Sequence, residues 1–218
     1  MKPWSFEKGV ADTFDKYVRE QLPWYDLATD ATAYIVKNYV PEKGLVVDFG
    51  SSIGNMIAIL QETIQQRDVA YTAIDNSAEM ADRLHLRFAK ADNVCVLAGN
   101  AMTMNYGHPN VSILFLTMMF FPVAKRAEFL RKLVSNTESG GGIIIVDKVC
   151  DHRGYFSTVM KRLAWHWKVL QGAKAEDIVD KELALAGVQI PIDSNLLNSY
   201  GAQEFFRMGE FAGWVIEV

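Results

Sequence analysis

The sequence predicts an α/β protein built on a Rossmann-like, doubly wound, mostly parallel sheet. Three observations predict it. Between Leu45 and Val146, short runs rich in Val, Ile and Leu alternate with longer amphipathic stretches, the order expected when helices cross over between buried parallel strands. Gly, Asn, Asp or Pro bounds each run, residues that end strands and open turns. The length also fits, since 218 residues, half of them hydrophobic, suffice for one domain with a substantial core.

Residues 1–42 read as N-terminal helices. Val10, Phe14, Tyr17 and Val18 form one apolar stripe that ends at Leu22-Pro23, and Leu27, Ala31, Tyr34 and Ile35 form a second. Residues 43–150 form the core, with strands expected at Leu45–Phe49, Tyr71–Asp75, Val94–Ala98, Ile113–Leu116 and Ile143–Val146. Helices are expected at Asn55–Gln66, Ala78–Ala91 and Val123–Val134, where apolar residues recur every three or four positions. In residues 151–193 the alternation fails, and irregular helices carrying Trp165-His166-Trp167 read as a cap over the sheet. Residues 194–218 read as a helix, Asn195–Arg207, and a closing strand, Phe211–Val218. That leaves the C-terminal sheet edge abbreviated, an invitation to pair with a second copy as a homodimer.

Composition excludes several classes. The net charge of −4 lacks the overall basic field of a dedicated nucleic-acid binder. Lys148 to Lys174 nevertheless carry a local +5, against −9 over the rest of the chain, so a local anion site is expected to be compatible with the sequence. The longest near-apolar run, Ile113 to Phe121, is far short of the roughly 20 residues that span a bilayer. The amphipathic, acidic start is unlike a signal peptide, so a cytoplasmic protein with no membrane partner is expected. Cys95 reads as part of a buried strand and Cys150 has no partner at redox spacing, so both are expected as reduced thiols. His85, His108, His152 and His166 lack metal-ligand spacing, and no metal is expected.

The stretch most informative about chemistry is Val46-Val47-Asp48-Phe49-Gly50-Ser51-Ser52-Ile53-Gly54-Asn55. It is a buried strand running into a glycine turn that opens a helix. Such a turn lets a ligand approach the backbone, and free N–H groups at the helix start can bind polar groups. A pyrophosphate cradle would want Gly-x-Gly-x-x-Gly, and Gly50 and Gly54 alone do not supply it. The second strand ends in Asp75-Asn76, the third at Gly99-Asn100-Ala101 and the fourth at Leu116-Thr117. Four polar strand ends therefore converge on one crevice, and an acid at Asp75 suits a pair of ribose hydroxyls.

Asp48 before the turn and Asp75 after the next strand resemble motifs of the class I S-adenosylmethionine-dependent methyltransferases. Ser52, at the middle glycine of the usual turn, is a feature of the carboxy-S-adenosylmethionine synthase family within that fold. Ile74-Asp75-Asn76-Ser77 with Met80 is similar to the same family, as is the start, Trp4-x-Phe6, Val10-Ala11, Phe14-Asp15, Val18 and Pro23-x-Tyr25. The resemblance covers about half the chain. It implies a class I methyltransferase fold that binds S-adenosylmethionine or carboxy-S-adenosylmethionine.

The residue roles also come from the resemblance. Gly50, Ser51, Ser52 and Gly54 would line the methionine part of the cofactor, with Asp48 before them. Asp75 would hold the ribose, Asn76, Ser77 and Met80 would flank ribose and adenine, and Asn100-Ala101 would meet the adenine edge. Tyr25 would close the site, with Phe115 and Thr117 near the transferred group. Two positions depart from the family: Asn100 stands where an acid is more usual, and Lys181-Glu182 stands where Lys-Arg would bind an extra carboxylate. Lys148 or the Lys161-Arg162 pair is a candidate replacement for that arginine.

Methyl transfer to an unidentified acceptor is the expected function, with no catalytic base assigned, because a sulfonium already carries a good leaving group. Making or using carboxy-S-adenosylmethionine is the alternative, and a non-catalytic scaffold on the same fold a third. The acceptor stays open between a small acidic metabolite, a nucleotide and tRNA.

Overall fold

A computed structural model describes residues 10–151 and 153–218, with side chains from Asp15 onward. Trp4, Phe6 and His152 lie outside the described residues, as do the side chains of Val10, Ala11 and Phe14.

Two helices, α1 (Val10–Gln21) and α2 (Tyr25–Tyr39), precede β1 (Leu45–Phe49). The core continues with α3 (Asn55–Thr63), β2 (Ala70–Asp75), α4 (Ala78–Arg87), β3 (Val94–Ala98), β4 (Val111–Phe115), α5 (Val123–Asn136) and β5 (Gly142–Lys148). A 3-10 turn at Met118–Phe120 links β4 to α5. The cap is α6 (Gly154–Leu170) and α7 (Ala175–Ala184), followed by α8 (Ser194–Asn198), β6 (Gln203–Met208) and β7 (Phe211–Glu217). The seven strands form one sheet in the order β3-β2-β1-β4-β5-β7-β6. Strands β1 to β5 run parallel and β7 pairs antiparallel with β5. Strand order reverses between β1 and β4, so their carboxyl ends open the crevice where such sheets bind ligands.

Both faces of the sheet are apolar because both are covered. Val47, Phe49, Leu114, Ile143 and Ile145 pack with Phe129, Leu130 and Leu133 of α5. Val46, Ile113 and Ile144 pack on the other face with α2, α3 and α4 through Val36, Ile57, Leu60 and Leu84. Ile57, Leu60 and Leu84 are fully buried, each contributing roughly 1.5–3 kcal/mol by removal from water.

Three expectations are corrected. The segment 195–207 is a short helix followed by strand β6, which pairs with β7 and occupies the sheet edge read as abbreviated. A register shift between Glu204 and Phe206 breaks the alternation of β6, and a bulge of that kind hides a strand from period-two reading. Helix α2 turns its small residues Ala28, Thr29, Thr32, Ala33 and Val36 inward, leaving Leu27 and Tyr34 exposed. Small side chains let α2 lie close to α3, so packing distance overrode the larger apolar stripe. Cys95 is exposed, because β3 is an edge strand with one side uncovered.

Among the described residues no helix is long and apolar enough to cross a membrane, and no cluster of His, Cys, Asp and Glu suits a metal.

Candidate functional site

A cavity of about 460 Å³ opens at the carboxyl ends of β1, β2 and β4. Its floor is the turn after β1. Gly50 adopts φ +74°, and its N–H and that of Ser51 donate to the Ile74 carbonyl at 2.7 and 3.0 Å. A Cβ at Gly50 would lie 2.5 Å from Thr117 Oγ1, so only glycine lets the end of β4 close against this turn. Thr117 Oγ1 in turn donates to the Phe49 carbonyl at 2.9 Å. Ser52 is also left-handed, at φ +52°, held there because its N–H donates to Asp75 Oδ2 at 2.8 Å.

Asp75 is the strut between two turns. Its other oxygen accepts the Ser77 N–H at 2.9 Å. Burial pushes its carboxyl above the ordinary value, opposed by the backbone N–H groups of Ser77, Ser52 and Asn76. A carboxylate has about four lone-pair sites, so Asp75 keeps acceptor capacity for a ligand's hydroxyls. Asp48, only 2 % exposed, has one oxygen, Oδ2, with no hydrogen-bond partner. Burial, partly opposed by the Ser51 side chain and reinforced by the charge of Asp75, pushes Asp48 up to about 7.

The walls are largely apolar. Tyr25 is buried edge-on against Phe115, with ring centroids 5.6 Å apart. Met80 supplies its thioether, 3.7 Å from Ser52 Oγ, and Asn100 and Ala101 close the far side. The structure thus brings twelve of the expected residues to one cavity: Tyr25, Asp48, Gly50, Ser51, Ser52, Asp75, Asn76, Met80, Asn100, Ala101, Phe115 and Thr117.

Gly54 and Ser77 are not on its wall. A Cβ at Gly54 would meet Phe88 at 2.4 Å, which makes that glycine a packing residue between helices. Ser77 caps α4 by accepting the Met80 N–H at 3.4 Å.

The lip is formed by Phe120, Phe121, Pro122 and Val188, of which the sequence points to neither Pro122 nor Val188. Arg126, 3 % exposed, builds it by donating to the carbonyls of Met119, Phe121, Ile190 and Pro191 at 2.6 to 3.1 Å. Behind it, buried Asp147 accepts the Met119 N–H at 3.0 Å. Burial raises Asp147 to about 7 against its backbone hydrogen bonds and the Arg126 charge. Nothing in the local pattern distinguishes Arg126 from the surface cations of α5, because its four acceptors come from distant segments.

The cavity wall carries two carboxylates, Asp48 and Asp75, and among the described residues no Lys, Arg or His. That field suits a cationic ligand with hydroxyls, and the unpartnered Asp48 oxygen and the Gly50 cradle fit S-adenosylmethionine. A smaller cavity of about 140 Å³ adjoins the first, sharing Leu116 and Phe120. Its wall includes Lys148, Lys168 and Lys181. Lys161 and Arg162 are exposed instead and line neither cavity. Trp165 and Trp167 belong to the smaller cavity, while His85, His108 and His166 are exposed and line neither.

Comparison with known proteins places these features in context. Residues 46–141 match the family model described as a methyltransferase domain. The chain is 24% identical over 220 residues to a carboxy-S-adenosyl-L-methionine synthase of Desulfotalea psychrophila, covering 96% of this chain and 90% of the relative. It is 27% identical to the protein of that name from Wolinella succinogenes, over 87% and 80% of the two chains. A putative S-adenosyl-L-methionine-dependent methyltransferase of Methanococcus maripaludis superposes with TM-score 0.62 at 17% identity, covering 100% of this chain and 95% of the other. An Aquifex aeolicus SAM-dependent methyltransferase superposes at 0.59 with 14% identity, over 97% and 100%. These structures share the fold.

Proposed function

We propose that this chain is a class I S-adenosylmethionine-dependent methyltransferase whose larger cavity binds S-adenosylmethionine for methyl transfer to an acceptor reaching it past Leu116 and Phe120. One observation carries this reading: among the described residues, two carboxylates and no cation line a cavity seated on the strand ends. When bound, the cofactor supplies a methyl group on a positively charged sulfur, so the protein's work is alignment and exclusion of water.

In this reading Asp75 accepts from the ribose hydroxyls, and its hydrogen bonds to Ser52 and Ser77 hold both turns in place before the ligand arrives. The turn from Gly50 to Ser52 seats the methionine part, with Asp48 providing negative charge beneath it. Asn100 and Ala101 meet the adenine edge, beside Asn76 and Met80. Tyr25 and Phe115 cover the transferred group, and Phe120, Phe121 and Pro122 keep water from it. No residue is assigned as a general base. The acceptor in this reading is a small molecule, because the second cavity, which shares Leu116 and Phe120 with the first, offers room for one.

A second reading, synthesis or use of carboxy-S-adenosylmethionine, is supported by the names of the relatives. It needs a cation beside the transferred group; among the described residues the wall of the larger cavity has none, and Lys148, Lys168 and Lys181 stand in the adjoining cavity. Denaturing the purified protein and identifying the small molecule it carries by mass spectrometry separates the two. S-adenosylmethionine or its demethylated product supports methyl transfer, and a carboxylated sulfonium replaces it with the second reading.

A further inference from the structure

Asn55 opens α3 directly after the glycine turn and lines the larger cavity. Its amide nitrogen donates to Asp15 Oδ1 of α1 at 2.7 Å and to the hydroxyl oxygen of Tyr25, in α2, at 3.4 Å. Its amide oxygen accepts from Arg87 Nη1 of α4 at 2.8 Å, and the same nitrogen of Arg87 donates to the Ile53 carbonyl at 2.8 Å. A flipped amide would set its oxygen against the Asp15 carboxylate and its N–H groups against Arg87, so the two charges fix its orientation. The Tyr25 ring is held as well, edge-on to Phe115 and with the Arg19 guanidinium 5.5 Å over it.

An amide nitrogen can only donate, so Asn55 takes the lone pair of Tyr25 and leaves the phenol proton uncommitted. Among the described residues the Tyr25 hydroxyl donates to no acceptor. Asp15, whose charge acts on this phenol, takes its donors from Asn55 and Arg19 instead. Burial raises Tyr25 above its ordinary value, opposed by the Asn55 hydrogen bond and the Arg19 charge and reinforced by Asp48 and Asp15. The group therefore stays a phenol and keeps its proton to donate.

We propose that Asn55 is a positioning residue of the larger cavity, one that commits the Tyr25 hydroxyl to donate to the carboxylate of the cofactor's methionine part. The inference rests on the cofactor reading of that cavity, and it adds what recognises the ligand's anionic end. Among the described residues the wall has no cation, so that carboxylate needs neutral donors. A phenol aimed by a fixed amide is one, and its bond to a carboxylate is charge-assisted. The ring of Tyr25 covers the transferred group at the same time.

The test is isothermal titration of the full chain with S-adenosylmethionine and with decarboxylated S-adenosylmethionine, which lacks only that carboxylate. Wild type, Tyr25→Phe, Asn55→Ala and the double variant are compared at one pH. Tyr25→Phe is expected to weaken S-adenosylmethionine about tenfold or more, and the decarboxylated ligand less than about twofold. Asn55→Ala should move the ratio of the two affinities the same way, by about threefold or more. In the Tyr25→Phe background it should move that ratio no further, because Asn55 acts through the hydroxyl that is gone. Asn55 is half-buried at the first position of its helix, where alanine is well accepted. A merely structural role would weaken both ligands alike. Equal weakening of both in Asn55→Ala, an unchanged ratio in Tyr25→Phe, or a further shift of the ratio in the double variant would each overturn the inference and leave the cofactor reading standing. Failure of the wild type to bind S-adenosylmethionine overturns the cofactor reading, and this inference with it.

Discussion

The two cavities share Leu116 and Phe120 but are built by opposite means. The larger is made by backbone turns at strand ends, with two buried carboxylates and, among the described residues, no cation in its wall. The smaller is made by side chains of α1, α6, α7 and the end of β5, with three lysines among aromatic rings. The first depends on sheet geometry, which the fold fixes, and the second on helices laid over that sheet, which can vary without disturbing it. A fold organised this way can keep one cofactor and change acceptors, since function resides in the site rather than in the fold.

The largest expected effect removes what both cavities lean on. Arg126 holds the lip of the first cavity, and the Met119 backbone it ties down also borders the second. Arg126→Met takes a donor from four carbonyls, of which that of Met119 keeps the Ile190 N–H, and leaves Asp147 without its nearby cation, and should cost about 3 to 5 kcal/mol in urea-unfolding experiments. S-adenosylmethionine binding should weaken with it, and unchanged affinity in a folded Arg126→Met would show that the lip does not depend on this support.

Gly50→Ala acts on one cavity alone. The new Cβ would sit 2.5 Å from Thr117 Oγ1 at a left-handed φ, and the backbone conformation by itself costs about 1–2 kcal/mol. S-adenosylmethionine affinity should fall more than about tenfold, and unchanged affinity in the folded variant would contradict the role of this turn as the floor of the cavity.

The smallest effect, and the one that sharpens the comparison most, is the pH dependence of stability. Asp48 and Asp147 have folded values raised to about 7 from 3.8. Between these limits the folded state holds more protons than the unfolded, so stability falls as pH rises from about 4 to about 7. Asp48→Asn should flatten that slope, leaving the share from Asp147. Lys181 has the opposite sign. Its folded value is lowered from 10.5 to about 7, so the unfolded state holds the extra proton above pH 7 and stability rises toward pH 10. Unfolding experiments on Asp48→Asn and Lys181→Met across pH 5 to 10 should each flatten only their own limb, leaving the shares of Asp147 and Lys168.

The difference between the cavities also explains what the sequence reveals. Strands β1 and β3 are read from the sequence with their observed bounds, Leu45–Phe49 and Val94–Ala98. Parallel strands of such a sheet are unbroken apolar runs closed by polar turns, and ten residues expected at their ends meet at one cavity with Tyr25 of α2 and Met80 of α4. Gly54 and Ser77 share the motif's spacing but serve helix packing and capping, a distinction only tertiary contacts make. Strand β6 is masked by its bulge, and α2 by burying alanine and threonine while Leu27 and Tyr34 face solvent. The second cavity is hidden because α6 has no fully buried residue to mark its inner face. Of the six basic residues between Lys148 and Lys174, Lys148 and Lys168 turn inward while Arg153, Lys161, Arg162 and Lys174 stay exposed. Charge alone carries no such direction.

The central claim is that the carboxylate-lined cavity holds S-adenosylmethionine through Asp75. Isothermal titration of the wild-type chain, Asp75→Ala and Lys181→Met with S-adenosylmethionine tests it most directly. The account predicts saturable binding by wild type and Lys181→Met, and a loss of about 100-fold or more in Asp75→Ala, which removes at least two charge-assisted hydrogen bonds. No binding by the wild type, or unchanged affinity in Asp75→Ala, would contradict it.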